Sequence, residues 1–214
     1  GKPELQVFMT PMVIEENMSN GDEERASLLH GLGRKLLVRG RKLARPGIQI
    51  DINLERPRSV GELRLASTNP CDQPLIDPRY LSNAEDLDEL IRGVKVMREV
   101  MAQLPIAQYV NGELGAWKEA RTDDEIIHAI RATAYTGHHP CSTARMGSDD
   151  ELDAVLDQHL RVRGVESLRV CDAAAMPTQI TGNLNATVIA MAEKAADMIL
   201  ERDPLRPEDP RRLV

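Results

Sequence analysis

Apolar and polar residues alternate with a period of two over residues 47–54, where Ile48, Ile50, Ile52 and Leu54 are separated by Gln49, Asp51 and Asn53. That alternation predicts a half-buried strand, because successive side chains of extended backbone point to opposite faces. Residues 5–14 read as a strand interrupted at Pro11, which has no N–H to give to a ladder. After a turn-like stretch at 56–61, containing Pro57 and Gly61, residues 62–66 alternate again and predict a further antiparallel strand. Residues 15–46, polar and then basic, read as a loop with one short helix at most.

The period then changes. Leu87, Leu90, Ile91, Val94, Met97 and Met101 recur at helical spacing behind a capping box over Ser82 to Glu85, which predicts a helix over 83–103 stopped by Pro105. Its apolar stripe is expected to cover one face of the sheet. A second box, Thr122 to Glu125, opens a shorter helix whose stripe is Ile126, Ile127 and Ile130, and which delivers the chain to Gly137. Residues 155–162 and 167–172 read as two strands around a turn at Gly164, and residues 185–202 as a long apolar helix capped by Asn185. The proline-rich tail beyond Arg202 reads as loose. The sequence contains no internal repeat and no low-complexity segment.

Charge narrows the partners. The 214 residues carry 27 Lys and Arg against 34 Asp and Glu, a net −7, with no long block of one sign. Neither a basic arm nor a base-stacking surface is present, since Trp117 and three tyrosines are too few for one, so nucleic acid is not an expected partner. No apolar run approaches the ~18 residues of a membrane span, and the first residues hold no hydrophobic signal core. Three widely spaced cysteines, Cys71, Cys141 and Cys171, suit reduced thiols and a cytoplasmic location; an oxidised pair in a secreted form is the alternative. Length alone allows one large domain or two small ones.

The residues with most chemistry fall in three clusters. The first is Gly137-His138-His139-Pro140-Cys141-Ser142-Thr143-Ala144-Arg145-Met146-Gly147. Histidine can take and return a proton near neutral pH, but two neighbours on an extended segment face opposite ways, so one of the pair points away from any shared site. The second cluster ends the predicted strand at Asp172-Ala173, and the third, Gly182-Asn183-Leu184-Asn185-Ala186, precedes the last helix. Each also has a purely structural reading: a hydrogen-bonded loop histidine, a turn aspartate, and asparagines that cap a helix. Gly31 and Gly33 lack the third glycine of a dinucleotide loop, His138, His139 and Cys141 lack a second ligand pair for zinc, and Ser142 sits in no Gly-x-Ser-x-Gly elbow. No metal site is expected.

Taken together these clusters resemble the end of a glucose-methanol-choline (GMC) oxidoreductase, a family of flavoenzymes that oxidise alcohols. The pattern over 52–65, with Asn69-Pro70 and residues 74–81, is similar to the family's substrate domain, so the resemblance runs from about residue 47 to residue 200. It implies an α+β fold: an antiparallel sheet with flanking helices forming a substrate-binding region at 1–140, then a returning segment at 141–214. That segment would complete an FAD-binding domain whose amino-terminal Rossmann part is absent from these residues, with the boundary between 136 and 150. It also implies that His139 is the catalytic base, that His138 stands where tyrosine is usual, and that Asn183 holds the substrate oxygen. Asp172, Ala173, Asn185 and Ala186 would contact FAD. On this reading an alcohol becomes an aldehyde or ketone as its hydroxyl proton passes to His139 and its carbon-bound hydrogen leaves as hydride to the flavin. Ser142 and Ala144 replace the commoner Gly and Cys, which leaves the substrate open among choline-like, sugar, aliphatic and aryl alcohols. The electron acceptor is equally open. The expected partners are a small alcohol and the amino-terminal FAD-binding segment of the same protein, and the 214 residues alone are expected to be inactive. A non-catalytic binding module and a flavin-containing lyase of the same family are the alternatives.

Overall fold

The computed structural model describes residues 4–10, 13–15, 43–45 and 47–203. The chain divides into two compact units, one of residues 5–53 and one of residues 1–4 with 54–214. In the first unit, β1 (Leu5–Thr10) pairs with β4 (Gln49–Leu54), and β2 (Val13–Glu15) pairs antiparallel with β3 (Leu43–Arg45), Val13 opposite Arg45. The interruption expected at Pro11 thus separates two strands with different partners. The strand at 43–45 falls where a loop is expected, three residues being too short to show a period. The rest of the expected loop, including Gly31 and Gly33, lies outside the described residues, as does the tail from residue 204.

In the second unit, β5 (Glu62–Arg64) pairs antiparallel with β6 (Leu75–Asp77), Leu63 opposite Ile76. A Cβ on Gly61 would lie 2.3 Å from the Asp77 carbonyl oxygen and 2.6 Å from Pro78 Cα, so only glycine lets the ribbon close there. Among the described residues the strands form three two-stranded ribbons. The architecture is α+β, small antiparallel sheets with flanking helices.

Helix α1 (Ala84–Met101) buries Leu87, Leu90, Ile91 and Val94, the predicted stripe, while Met97 and Met101 stay half-buried. Its cap is Asn83, whose side chain accepts the Glu85 N–H at 2.9 Å, one residue later than the expected box. Helix α2 (Asp123–Thr133) carries the reciprocal box as predicted: the Thr122 hydroxyl accepts the Glu125 N–H, and the Glu125 carboxylate accepts the Thr122 N–H. That backbone bond from Thr122, joined by one from Arg121, holds the Glu125 carboxyl below its ordinary range. Lys95 of α1 and Asp123 of α2 pair at 2.6 Å where the two helices meet.

The amino end of α1 is anchored by a buried charge. Asp86 is fully buried, and its carboxylate accepts the backbone N–H groups of Arg58 and Ser59, each at 2.8 Å, together with the Ser59 hydroxyl. The Ser59 oxygen in turn accepts the Asn83 N–H at 3.1 Å. Glu89, 6 % exposed, takes the Arg58 guanidinium at 2.8 Å, and Glu85 pairs with the same group; Glu89 and then Glu85 raise Arg58 above its ordinary pKa. A buried carboxylate is tolerated when donors surround it, and a position in the first helical turn adds the favourable dipole. Removing the acceptor strands these donors, so Asp86→Ala is expected to lower the unfolding free energy by about 3 kcal/mol, while exposed Asp88→Ala leaves it nearly unchanged. Denaturant titration checks this, and equal effects at the two positions would contradict the anchor.

The region after α2 departs most from the predicted pattern. Residues 155–162 and 167–172 form no strands; single bridges join Leu156 to Met146 and Val162, and Arg161 to Arg169. The reason is local. Leu160, Gly164 and Ser167 have left-handed backbone, and the Asp157 carboxylate captures the N–H groups of His159 and Arg161, which a ladder would otherwise use. Their apolar residues still turn inward: Leu156, Leu160, Ala175 and Ala195 form a buried cluster, with Met146, Val162, Val170, Cys171 and Met191 packed around it. Ala195 and Met191 belong to α3 (Asn185–Ile199), so this cluster seats the last helix. Asn185 does not cap that helix. Leu184 occupies the cap position with helical backbone and no side-chain hydrogen bond, which places Asn185 inside the first turn.

Candidate active site

Three backbone hydrogen bonds fix the histidine-bearing segment. The N–H groups of Ser142, Ala144 and Met146 donate to the carbonyls of Ala173, Ala174 and Ala175 at 3.1, 3.0 and 3.0 Å. The donors are alternate residues of an irregular segment, in which Ser142 has left-handed backbone and Thr143 and Ala144 form a turn. The acceptors lie in a tight turn at Ala173–Ala175, started by Asp172, whose Oδ1 accepts the Ala174 N–H at 2.7 Å. Asp172 is therefore a turn-forming residue, while Ala173 joins the turn to the histidine segment through its carbonyl. His139 lies half-buried three residues before the first rung.

Between the second and third rungs, Arg145 carries its charge into a clamp. Its guanidinium pairs with Glu151 at 2.6 Å and with Asp153, while Arg163 donates to the carbonyls of Gly147, Ser148 and Glu151. Gly147 is required by this closure, since a Cβ there would lie 2.6 Å from the Ala154 Cβ and 2.8 Å from Glu151 Oε2. The Arg145 hydrogen bond, with Ser148 second, holds Glu151 below its ordinary pKa, and the Arg145 bond also leads the lowering at Asp153. Periodicity does not reveal the clamp; its signal in the sequence is the acidic stretch Asp149, Asp150, Glu151 and Asp153, one residue after Met146-Gly147.

The third cluster lies at the open end of α3. Gly182 has φ 111°, Asn183 is exposed, and Asn185 and Ala186 are exposed in the first turn. The first intrahelical bond is Val188 N–H to Leu184 at 2.9 Å, so the N–H groups of residues 185–187 precede the helical ladder. Buried Ala175, in the Asp172 turn, and Ala195, on α3, share the apolar cluster. The fold thus joins His139's segment by hydrogen bonds to Ala173, Ala174 and Ala175 of the turn that Asp172 starts, and joins that turn to α3 by packing. No hydrogen bond links His139 to Asn183 among the described residues.

Other chemistry is sparse. Cys71, Cys141 and Cys171 are free thiols, and burial, aided by the Asp172 charge, pushes the Cys171 thiol up. No group of three metal-ligating side chains occurs among the described residues, and none of their helices is long and apolar enough to cross a membrane. An open cleft of about 230 Å³ lined by Glu4, Arg56, Arg58 and Glu89 includes none of the three clusters.

The family model described as GMC oxidoreductase matches residues 57–192. The chain is 42 % identical over 161 residues to human (Homo sapiens) mitochondrial choline dehydrogenase, covering 75 % of this chain and 27 % of that protein. It is 38 % identical over 200 residues to an alcohol dehydrogenase [acceptor] of Pseudomonas putida, covering 91 % of this chain and 36 % of that one. Among solved structures, an FAD-dependent oxidoreductase from Chaetomium thermophilum superposes with a TM-score of 0.67 at 29 % identity, over 72 % of this chain and 26 % of that one. These relatives are oxidoreductases. The chain belongs to the GMC oxidoreductase family, and it spans roughly a quarter to a third of the length of these relatives.

The clamp makes a pH prediction. Glu151 and Asp153 have depressed pKa values in the folded state, so the stability they add is present above their unfolded values and is lost as pH falls through the folded ones. Both carboxylates are solvent-exposed, so the gain is modest. Arg145→Met is expected to be less stable than the parent at neutral pH, with the difference shrinking as pH descends through the carboxylate range. Thermal melts across pH check this, and a difference that grows toward acid would contradict it.

Proposed function

We propose that this chain supplies the substrate-binding region and the base of an FAD-dependent enzyme that oxidises an alcohol to an aldehyde or ketone. Family membership supports the reaction class, and the rungs between residues 142–146 and 173–175 carry the proposal, because they tie the histidine segment to the turn assigned to the cofactor. His139 takes the hydroxyl proton of the alcohol, and Asn183, exposed and flexible in its hydrogen-bonding roles, donates to the alcohol oxygen without competing for that proton.

The residues suit FAD. Ala173, Ala174 and Ala186 have side chains too short to block a flat ring, and the uncapped start of α3 presents backbone N–H groups that favour electron-rich or anionic edges. Asp172, Ala173, Asn185 and Ala186 would hold it. When bound, FAD supplies the two-electron acceptor for the carbon-bound hydrogen. The chain's own part is to orient the alcohol and receive its proton.

The organisation follows the same reading. The buried cluster of Leu156, Leu160, Ala175 and Ala195 falls entirely within residues 141–214, in keeping with a returning segment distinct from a substrate-binding region at 1–140. Ile189, Ile199 and Leu200 on or beside α3 are more than half exposed, an apolar surface suited to the amino-terminal FAD-binding segment of the same protein. The three free thiols suit a reducing compartment such as the cytoplasm.

In the full-length flavoprotein, His139→Gln is expected to lower kcat about 100-fold with flavin absorbance per protein unchanged. Steady-state kinetics on a panel of primary alcohols measures it. Unaltered turnover would show that another group takes the proton.

A further inference from the structure

We propose that His138 is a positioning residue that acts through its backbone, its left-handed conformation aiming the His139 side chain. The proposal rests on the reading of His139 as base. Between the α2 cap at Ala134 and the first rung at Ser142, the chain crosses residues 135–141 with neither helix nor strand. Burial does little to place this stretch, since none of its residues is buried. Backbone conformation must do it.

Two residues bracket His139 in left-handed backbone, His138 at φ 60° and Ser142 at φ 67°. Such a conformation is unfavourable for most L-residues; histidine visits it more readily than most, and β-branched residues avoid it. The His138 N–H donates to the Thr136 hydroxyl at 3.0 Å, which closes the turn on one side. Pro140 fixes its own φ and drives His139 toward extended backbone. On the far side the Ser142 N–H is tied to Ala173. His139 is thus held by a left-handed turn before it, a proline after it and an anchored left-handed residue beyond. The His138 imidazole is exposed and has no hydrogen-bond partner among the described residues, so its side chain holds nothing in place. The expectation that adjacent histidines alternate across extended backbone does not apply, because His138 is not extended.

The test compares side chain with backbone in the full-length flavoprotein, reading flavin content, kcat, KM and the pH profile of kcat for His138→Val, His138→Asn, His138→Gly and Thr136→Val, with His139→Gln alongside. His138→Val, which resists left-handed backbone, is expected to lower kcat about tenfold with flavin content and KM little changed. Asn and Gly, which accept it, are expected to restore kcat to within about threefold of the parent with an unshifted pH profile. Thr136→Val should fall between. Equal losses in Val, Asn and Gly would overturn the proposal by showing that the imidazole matters, as would parental kcat in all three or a Val defect confined to flavin content. Those outcomes leave the base assignment standing so long as His139→Gln is slow, whereas parental turnover in His139→Gln removes the base assignment itself.

Discussion

The rungs from Ser142, Ala144 and Met146 to Ala173, Ala174 and Ala175 are the constraint on which the rest of the site depends. A single such bond is worth on the order of 1 kcal/mol, too little to hold an irregular segment against its own conformational entropy. Its strength here comes from company. Ala175 is fully buried beside Leu156, Leu160 and Ala195, so the acceptor side of the ladder is fixed by packing, and Met146 from the donor side joins the same cluster. Breaking the rungs would expose that cluster; packing the cluster aligns the rungs. His139, Asp172 and the start of α3 gain their relative positions from this one body.

The motif residues around it then acquire physical reasons. Gly147 is glycine because Ala154 and Glu151 occupy the place of its Cβ. Arg145 is a clamp on Glu151 and Asp153, closing the segment that returns as Leu156. Asp172 starts the turn that offers the acceptors. The uncapped α3 terminus is the exception: natural helices commonly satisfy such groups with a side chain, and this one leaves them open beside small residues. An opening of that kind has a use when an electron-rich group approaches.

Legibility in the sequence follows the length and purity of each signal. Helices α1 and α2 were readable because their stripes run several turns and their caps are polar residues of the right type; Asn83, not Ser82, does the capping in α1 because it directly precedes the helical residues. Strands β3, β5 and β6 are three residues long, and only β5 had enough alternation around it to be noticed. Residues 155–172 misled because inward-facing Leu156, Leu160, Val162 and Val170 mimic a strand pattern while left-handed Leu160 and Ser167 and the Asp157 carboxylate divert the backbone. The clusters at 137–147, 172–173 and 182–186 were visible through family resemblance, yet their scaffold of rungs and clamp joins residues up to about thirty apart, which periodicity cannot report.

Amide hydrogen exchange on the chain, read residue by residue, tests the ladder most directly. If the rungs and the buried cluster form one cooperative body, the amides of Ser142, Ala144 and Met146 are protected and exchange with the same opening free energy as the interior of α3 around Ala195. Exchange of those three amides at unprotected rates while α3 stays protected would contradict the account.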